Sequence, residues 1–308
     1  MAFTAKDVQT LREKTGVGMM DCKKALVSSD GDMDKAIEYL REKGLAAATK
    51  KAGRIAAEGI VSSYYDDIKK IGVLVEVNSE TDFVAKNEDF QKFVSNIAKT
   101  IAESNPADVE ALHNTKLSGN DRTVIENLQD KILSIGENIK IRRFERIEGN
   151  LSIYIHAGGT VGVMVNFSVK DDIADNDKFK VMGKDIAMQI AAMSPQYLDE
   201  LSVPADVILY EKGIIAAQLK EDEKMKNKPE KVLEGIIGGK LAKLFKDICL
   251  LDQQFVKNSD LSVGQYVDTV AKELGTDIKV LGFVRFAKGE GLQKKEENFA
   301  DEVAGMIK

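Results

Sequence analysis

Apolar positions in the first 44 residues recur at helical spacing in three short runs. Thr4 caps the first, which carries Val8 and Leu11, and Met20, Cys22, Ala25 and Leu26 mark the second. Asp32 caps the third, with Met33, Ala36, Ile37 and Leu40 on one face and Gly44 as its stop signal. The turn Thr15-Gly16-Val17-Gly18 before Met19-Met20 is bent by glycine and apolar at its tip, a pattern that suits docking to a partner or sealing a small core. From Leu45 to Arg54 the large apolar residues thin out into Ala, Lys, Thr and Gly, which reads as a helical or flexible linker.

Beyond the linker the pattern changes period and then repeats. Ile71-Gly72-Val73-Leu74-Val75-Glu76-Val77-Asn78 aligns with Val161-Gly162-Val163-Met164-Val165-Asn166-Phe167-Ser168, so a second copy follows about 90 residues after the first. Each copy opens with a hairpin rich in β-branched residues: Gly59 to Tyr65 with Ile71 to Asn78, and Leu151 to His156 with Val161 to Ser168. A helix follows each, from Phe90 and from Phe179. Phe90, Phe93, Val94, Ile97, Ala98 and Ile101 form one apolar face to bury on a sheet. Strands Ile139 to Ile147 and Ile278 to Phe286 could complete the two sheets. The fold class expected is α+β, with two related subdomains of antiparallel sheet and helix.

Into the second copy is inserted a helical stretch from about 203 to 250, broken at Lys226-Asn227-Lys228-Pro229. Val207, Ile208, Ile214, Ile215 and Leu219 on one arm, and Leu233, Ile237, Leu241 and Leu244 on the other, predict an antiparallel helical hairpin. A last amphipathic helix carries Phe299, Val303 and Met306. The expected organisation is 1–44 N-terminal module, 45–55 linker, 56–148 first core subdomain, 149–287 second core subdomain with its insertion, and 288–308 C-terminal module.

Composition removes several chemistries. Two cysteines, Cys22 and Cys249, and two histidines, His113 and His156, make a zinc centre or redox pair a poor reading, so no metal and no cofactor is expected. A net charge of -6, with no Trp, argues against general nucleic-acid binding. No apolar run is long enough to span a bilayer and the start lacks a signal peptide's pattern, so a cytoplasmic, membrane-free protein is expected. Gly235-Ile236-Ile237-Gly238-Gly239-Lys240 fails as a phosphate loop, because Glu234 and Leu241 stand where glycine and a hydroxyl are needed. Gly158-Gly159 fits a hairpin turn better than a dinucleotide site. His156 lacks a nucleophile or orienting acid nearby in sequence, and Cys22 beside Lys23 and Lys24 reads as a core residue more readily than as a reactive thiol.

The segment Asn78-Ser79-Glu80-Thr81-Asp82-Phe83-Val84-Ala85-Lys86-Asn87 allows two readings. Ser79 with Asp82 resembles a capping box, with Phe83 as a core plug. Alternatively, a helix start after a strand presents an aromatic beside a carboxylate, as an interface anchor does. On sequence physics alone the first is preferred.

Thr81 to Asn87 resembles the signature of elongation factor Ts, and Thr15-Gly16-Val17-Gly18-Met19-Met20-Asp21-Cys22-Lys23-Lys24-Ala25-Leu26 resembles its amino-terminal signature. The order of parts matches over essentially the whole chain; Gln254, where many relatives have proline, is a departure confined to a loop. The resemblance implies a UBA-like N-terminal module and a guanine nucleotide exchange factor that makes no covalent bond. Its implied partner is elongation factor Tu, in GDP-bound and nucleotide-free forms. Thr81, Asp82, Phe83 and Val84 would form the wedge that dislodges magnesium. Met19, Met20, Lys23, His156, Gly158, Gly159, Phe299 and Val303 would make further partner contacts. A dimer through the helical hairpin stays open. The competing readings are a ribosome-associated adaptor that touches RNA through Lys50-Lys51-Ala52-Gly53-Arg54, and an α+β enzyme, for which the sequence offers no acid-base pair.

Overall fold

The computed structural model describes residues 3–222, 225 and 228–293, which divide into two compact units. The first comprises the chain up to Ile147, the segment Ile155–Gly162 and the stretch from Phe286. The second comprises Glu148–Tyr154 and Val163–Arg285.

The first unit begins with three helices, α1 (Ala5–Thr15), α2 (Met19–Ser28) and α3 (Met33–Lys51). Thr4 and Asp7 form a reciprocal capping box on α1, and Gly16 ends it in the left-handed conformation. Val8, Leu11, Val17, Cys22, Ala25, Leu26, Ala36 and Leu40 make the module's small core. The stop expected at Gly44 does not occur, since α3 runs on to Lys51. Gly44 serves packing instead: a side chain there would lie 3.4 Å from the Gln129 carbonyl oxygen. The helical alternative for the linker therefore holds up to Lys51.

Next come β1 (Glu58–Asp66) and β2 (Ile71–Ser79), paired antiparallel from Glu58 opposite Ser79 to Asp66 opposite Ile71. A four-residue α4 (Asp82–Ala85) and the 17-residue α5 (Glu88–Ser104) follow, then α6 (Val109–His113), α7 (Val124–Ile135) and β3 (Lys140–Glu148). The sheet order is β1-β2-β3, and β2, in the centre, is buried along its whole length. All six apolar residues predicted for the face of α5 are buried in a core shared with Val73, Val75 and Val77.

The second unit takes in β4 (Asn150–His156) up to Tyr154 and β5 (Val161–Ser168) from Val163. It continues with α8 (Asp171–Ala174) and α9 (Asp177–Met193), again of four and 17 residues. The repeat extends to the caps. Asn87 and Asn176 cap α5 and α9, and Asn105 and Ser194 close them in the left-handed conformation with φ of 47° and 49°. Antiparallel pairing of α10 (Ala205–Glu221) with α11 (Glu230–Ile248) was expected; the two helices pack around Ile215, Leu219 and Leu241. The pseudo phosphate loop lies inside α11. A short ribbon of β6 (Gln254–Phe255) and β7 (Asn258–Ser262), then α12 (Val263–Leu274) and β8 (Lys279–Ala287), finish the unit, with sheet order β4-β5-β8. Among the described residues no helix is long and apolar enough to cross a membrane. The final helix predicted around Phe299, Val303 and Met306 lies outside the described residues.

Candidate partner-binding site

The turn from β2 into α4 departs from the capping-box reading. Thr81, not Ser79, is the N-cap of α4, and it makes no side-chain cap bond. The Ser79 hydroxyl instead donates to the Thr81 carbonyl oxygen at 2.9 Å. Val84 turns inward, 7% exposed, and joins the core around α5. Phe83 does the reverse. Its ring is 78% exposed, so it plugs nothing, and Val84 is the residue that anchors the turn.

Around Phe83 the charges are arranged locally. Lys86 Nζ donates to Asp82 Oδ2 at 2.7 Å, an i,i+4 pair legible in the sequence, and lies 5.7 Å from the centre of the Phe83 ring. The hydrogen bond from Lys86 holds the Asp82 carboxyl below its usual range, so it is anionic at neutral pH. The surface thus offers one large apolar group beside a fixed negative charge.

The repeat supplies an internal control. At the matching place in the second copy, Asp171-Asp172-Ile173-Ala174 forms the same four-residue helix. Asp172 stands where Phe83 does, and Ile173 where Val84 does. An aliphatic follows in both copies, buried at Val84 and half-buried at Ile173, and the scaffold folds equally with Asp in place of the exposed aromatic. Phe83 is therefore surplus to the fold.

The other predicted contacts sit on separate elements. On α2, Met19 and Met20 are 45% and 63% exposed and Lys23 is exposed, while Val17, just before them, is buried. The glycine-bent turn thus seals the module with Val17 and presents the two methionines outward. A shallow hollow of about 310 Å³ lined by Met20, Lys23, Lys24, Val27, Ser28 and Tyr39 continues that surface. Cys22 is a buried free thiol whose pKa burial raises, the opposite of an activated cysteine.

At the β4–β5 tip His156 and Gly158 are exposed, but Gly159 is buried. Gly159 has φ of 100°, its carbonyl accepts from Val61 N–H at 2.8 Å, and an added Cβ would lie 2.9 Å from the Val61 carbonyl oxygen. Its task is to let the tip seat on β1, which leaves His156 and Gly158 as the outward groups. Gly159→Ala should lower stability by about 1–2 kcal/mol through the left-handed backbone penalty and the clash, read as a fall in chemical-denaturation midpoint, whereas Gly158→Ala, with open space around it, should cost less.

The family model described as Elongation factor TS matches residues 80–290, starting at the Phe83 turn. The chain belongs to the elongation factor Ts family. Elongation factor Ts of Clostridium novyi (strain NT) is 49% identical over 97% of each chain. That of Clostridium perfringens (strain SM101 / Type A) is 48% identical over 99% of each, and that of Syntrophotalea carbinolica 46% over 100% of each. Membership in elongation factor Ts carries a translation elongation role. Alignment with these relatives takes in the N-terminal module, which precedes the segment matched by the family model.

Sequence reasoning missed what holds the turn in place: Glu80, Arg54, Glu137 and Asn138. No local pattern could have revealed them, because the partners are 56 and 58 residues apart for Thr81–Glu137 and Glu80–Asn138.

Proposed function

We propose that this chain is the guanine nucleotide exchange factor for elongation factor Tu, binding its GDP form, displacing magnesium and promoting GDP release so that GTP can enter. The observation that carries the reading is the exposed Phe83 ring, mounted beside the Asp82 carboxylate on a turn that folds in the second copy without an aromatic. An exchange factor needs no acid-base pair. It must bind the nucleotide-free partner more tightly than the GDP form, and thermodynamic linkage then weakens GDP by the same factor. Phe83 acts as the apolar wedge with Asp82 and Thr81 at its flank, and Val84 contributes by anchoring it from inside. Met19, Met20 and Lys23 on α2, the His156-Gly158 tip and the segment with Phe299 and Val303 add contact area. The factor works in the cytoplasm, and the segments 1–44, 56–148, 149–287 and 288–308 act as its contact-bearing parts.

The test is release of a fluorescent GDP analogue from purified elongation factor Tu with magnesium present. Release that accelerates in proportion to added protein supports the reading. Unchanged release by the folded protein would sink it and return attention to an RNA-linked adaptor, whose binding would fall steeply with salt.

A further inference from the structure

We propose that Glu137, together with Glu80, is a positioning residue for the Phe83 turn, acting through a two-way brace; the inference rests on the exchange-factor reading and deepens it. The turn after β2 and the turn after α7 are joined reciprocally. The Glu137 carboxylate accepts from Thr81 N–H at 3.0 Å and from the Thr81 hydroxyl at 2.7 Å. In return, Glu80 Oε1 accepts from Asn138 N–H at 2.6 Å. Each turn thus supplies a carboxylate that takes the backbone N–H of the other, and bonds to an ionised acceptor are the stronger kind.

The brace reaches back to the end of α3. Arg54 Nη1 lies 3.4 Å from the same Glu80 oxygen, and the buried Asn138 side chain donates to the Arg54 carbonyl at 2.7 Å. Lys51 Nζ donates to the Ile132 carbonyl oxygen of α7 at 3.3 Å. Gly136, with φ of 86°, lets α7 stop so that Glu137 and Asn138 face the β2 turn. The three-helix module is thereby tied through its last helix to the turn that carries Phe83.

A four-residue helix cannot hold its own orientation, because a single turn of helix leaves most of its backbone groups without helical partners. Phe83 points away from the core, so its direction depends on what fixes Thr81 on one side and Val84 on the other. Val84 is held by packing and Thr81 by Glu137. In the second copy Lys170 occupies the place of Thr81 and offers no hydroxyl to such a brace, and the exposed residue there is Asp172. The brace accompanies the copy that bears the aromatic.

Two measurements test this. In the free protein, amide hydrogen exchange at Thr81, Lys86 and Asn87 should speed up by about tenfold in Glu137→Ala, as expected when a charge-assisted bond of the turn is lost, while Ile97 and Ile101 in α5 keep their protection. In GDP release from elongation factor Tu, Glu137→Ala should be slowed by a similar factor, and Glu137→Gln, which keeps an acceptor for the Thr81 N–H, should recover part of it. Thr81→Val, which removes one donor without stranding a charge, should give a smaller loss of the same kind. The loss should largely vanish when Glu137→Ala is made on a Phe83→Ala background, because the brace acts through the ring. Full protection of the turn in Glu137→Ala, or an equal loss with and without Phe83, would overturn the proposal. Failure of the parent protein to release GDP would instead overturn the exchange reading, and the amide measurement, made without elongation factor Tu, would still decide whether the brace holds the turn.

Discussion

Phe83→Ala should leave the protein folded and cut its stimulation of GDP release by about 30-fold or more, the effect of losing an interface anchor worth on the order of 2 kcal/mol. The size follows from the position of the ring. An aromatic that is 78% exposed in the free chain has nearly all its apolar surface still to bury on a partner. The cost to the free protein should be small, within about 0.5 kcal/mol, since surface substitutions away from packing are nearly neutral and the same turn folds with Asp172 in the second copy. A thermal melt with an unchanged midpoint, beside the slowed release of a fluorescent GDP analogue, is the expected pair of results. A variant that melts early would show that the ring supports the fold; one that melts normally and exchanges at the parent's rate would remove Phe83 from the mechanism.

Glu76→Ala should be the most destabilising single substitution considered, by about 3 kcal/mol or more, as expected when one member of a buried ion cluster is removed. Glu76 lies on the central strand and its side chain is fully buried. Its carboxylate takes hydrogen bonds from Arg142 at 3.0 and 3.2 Å, Arg143 at 2.7 Å, Asn78 at 3.1 Å and the Gly289 N–H at 2.8 Å. Truncation removes the carboxylate that Arg142, Arg143, Asn78 and the Gly289 N–H share, and leaves the two guanidinium groups only their bonds to Glu290 and to the Ala287 carbonyl. Urea denaturation would measure the loss; a midpoint equal to the parent's would show that water or the neighbouring Glu290 replaces the carboxylate.

The same cluster predicts the acid limb of stability. Burial alone would raise the Glu76 pKa, but the hydrogen bonds from Gly289, Asn78, Arg143 and Arg142 outweigh it, and the net shift is downward. A carboxyl with a lower pKa folded than unfolded stabilises the fold above its unfolded value of about 4.3, and that contribution is lost as pH falls through the folded value. Stability in urea should therefore decline below about pH 4.3, and the decline should be shallower in Glu76→Gln. A parallel decline in the two proteins would assign the acid sensitivity to other carboxylates.

Most of the scaffold was legible because it is written locally. Thr4 and Asp32 cap helices within three residues of themselves, the face of α5 is a spacing pattern, and the two hairpins show in their β-branched residues and in their repeat. The recognisable signature around Phe83 marked the right segment. It could not say which way each residue points, and the capping-box reading of Ser79 and Asp82 placed the aromatic inside.

What the chain by itself determined is the order of elements, the duplicated core, the helical hairpin and the membership of elongation factor Ts, since these rest on periodicity and motif, which survive when read one residue after another. The tertiary structure alone decided that Val84 enters the core and Phe83 leaves it, that Gly44 is a contact and not a stop, that Gly159 is buried under β1, and that Glu76 and Glu137 find donors far along the chain. The Glu76 bond to Gly289 spans 213 residues and the Thr81 bond to Glu137 spans 56. A buried charge or a braced turn is defined by the groups that surround it in space, and no window of neighbouring residues contains them.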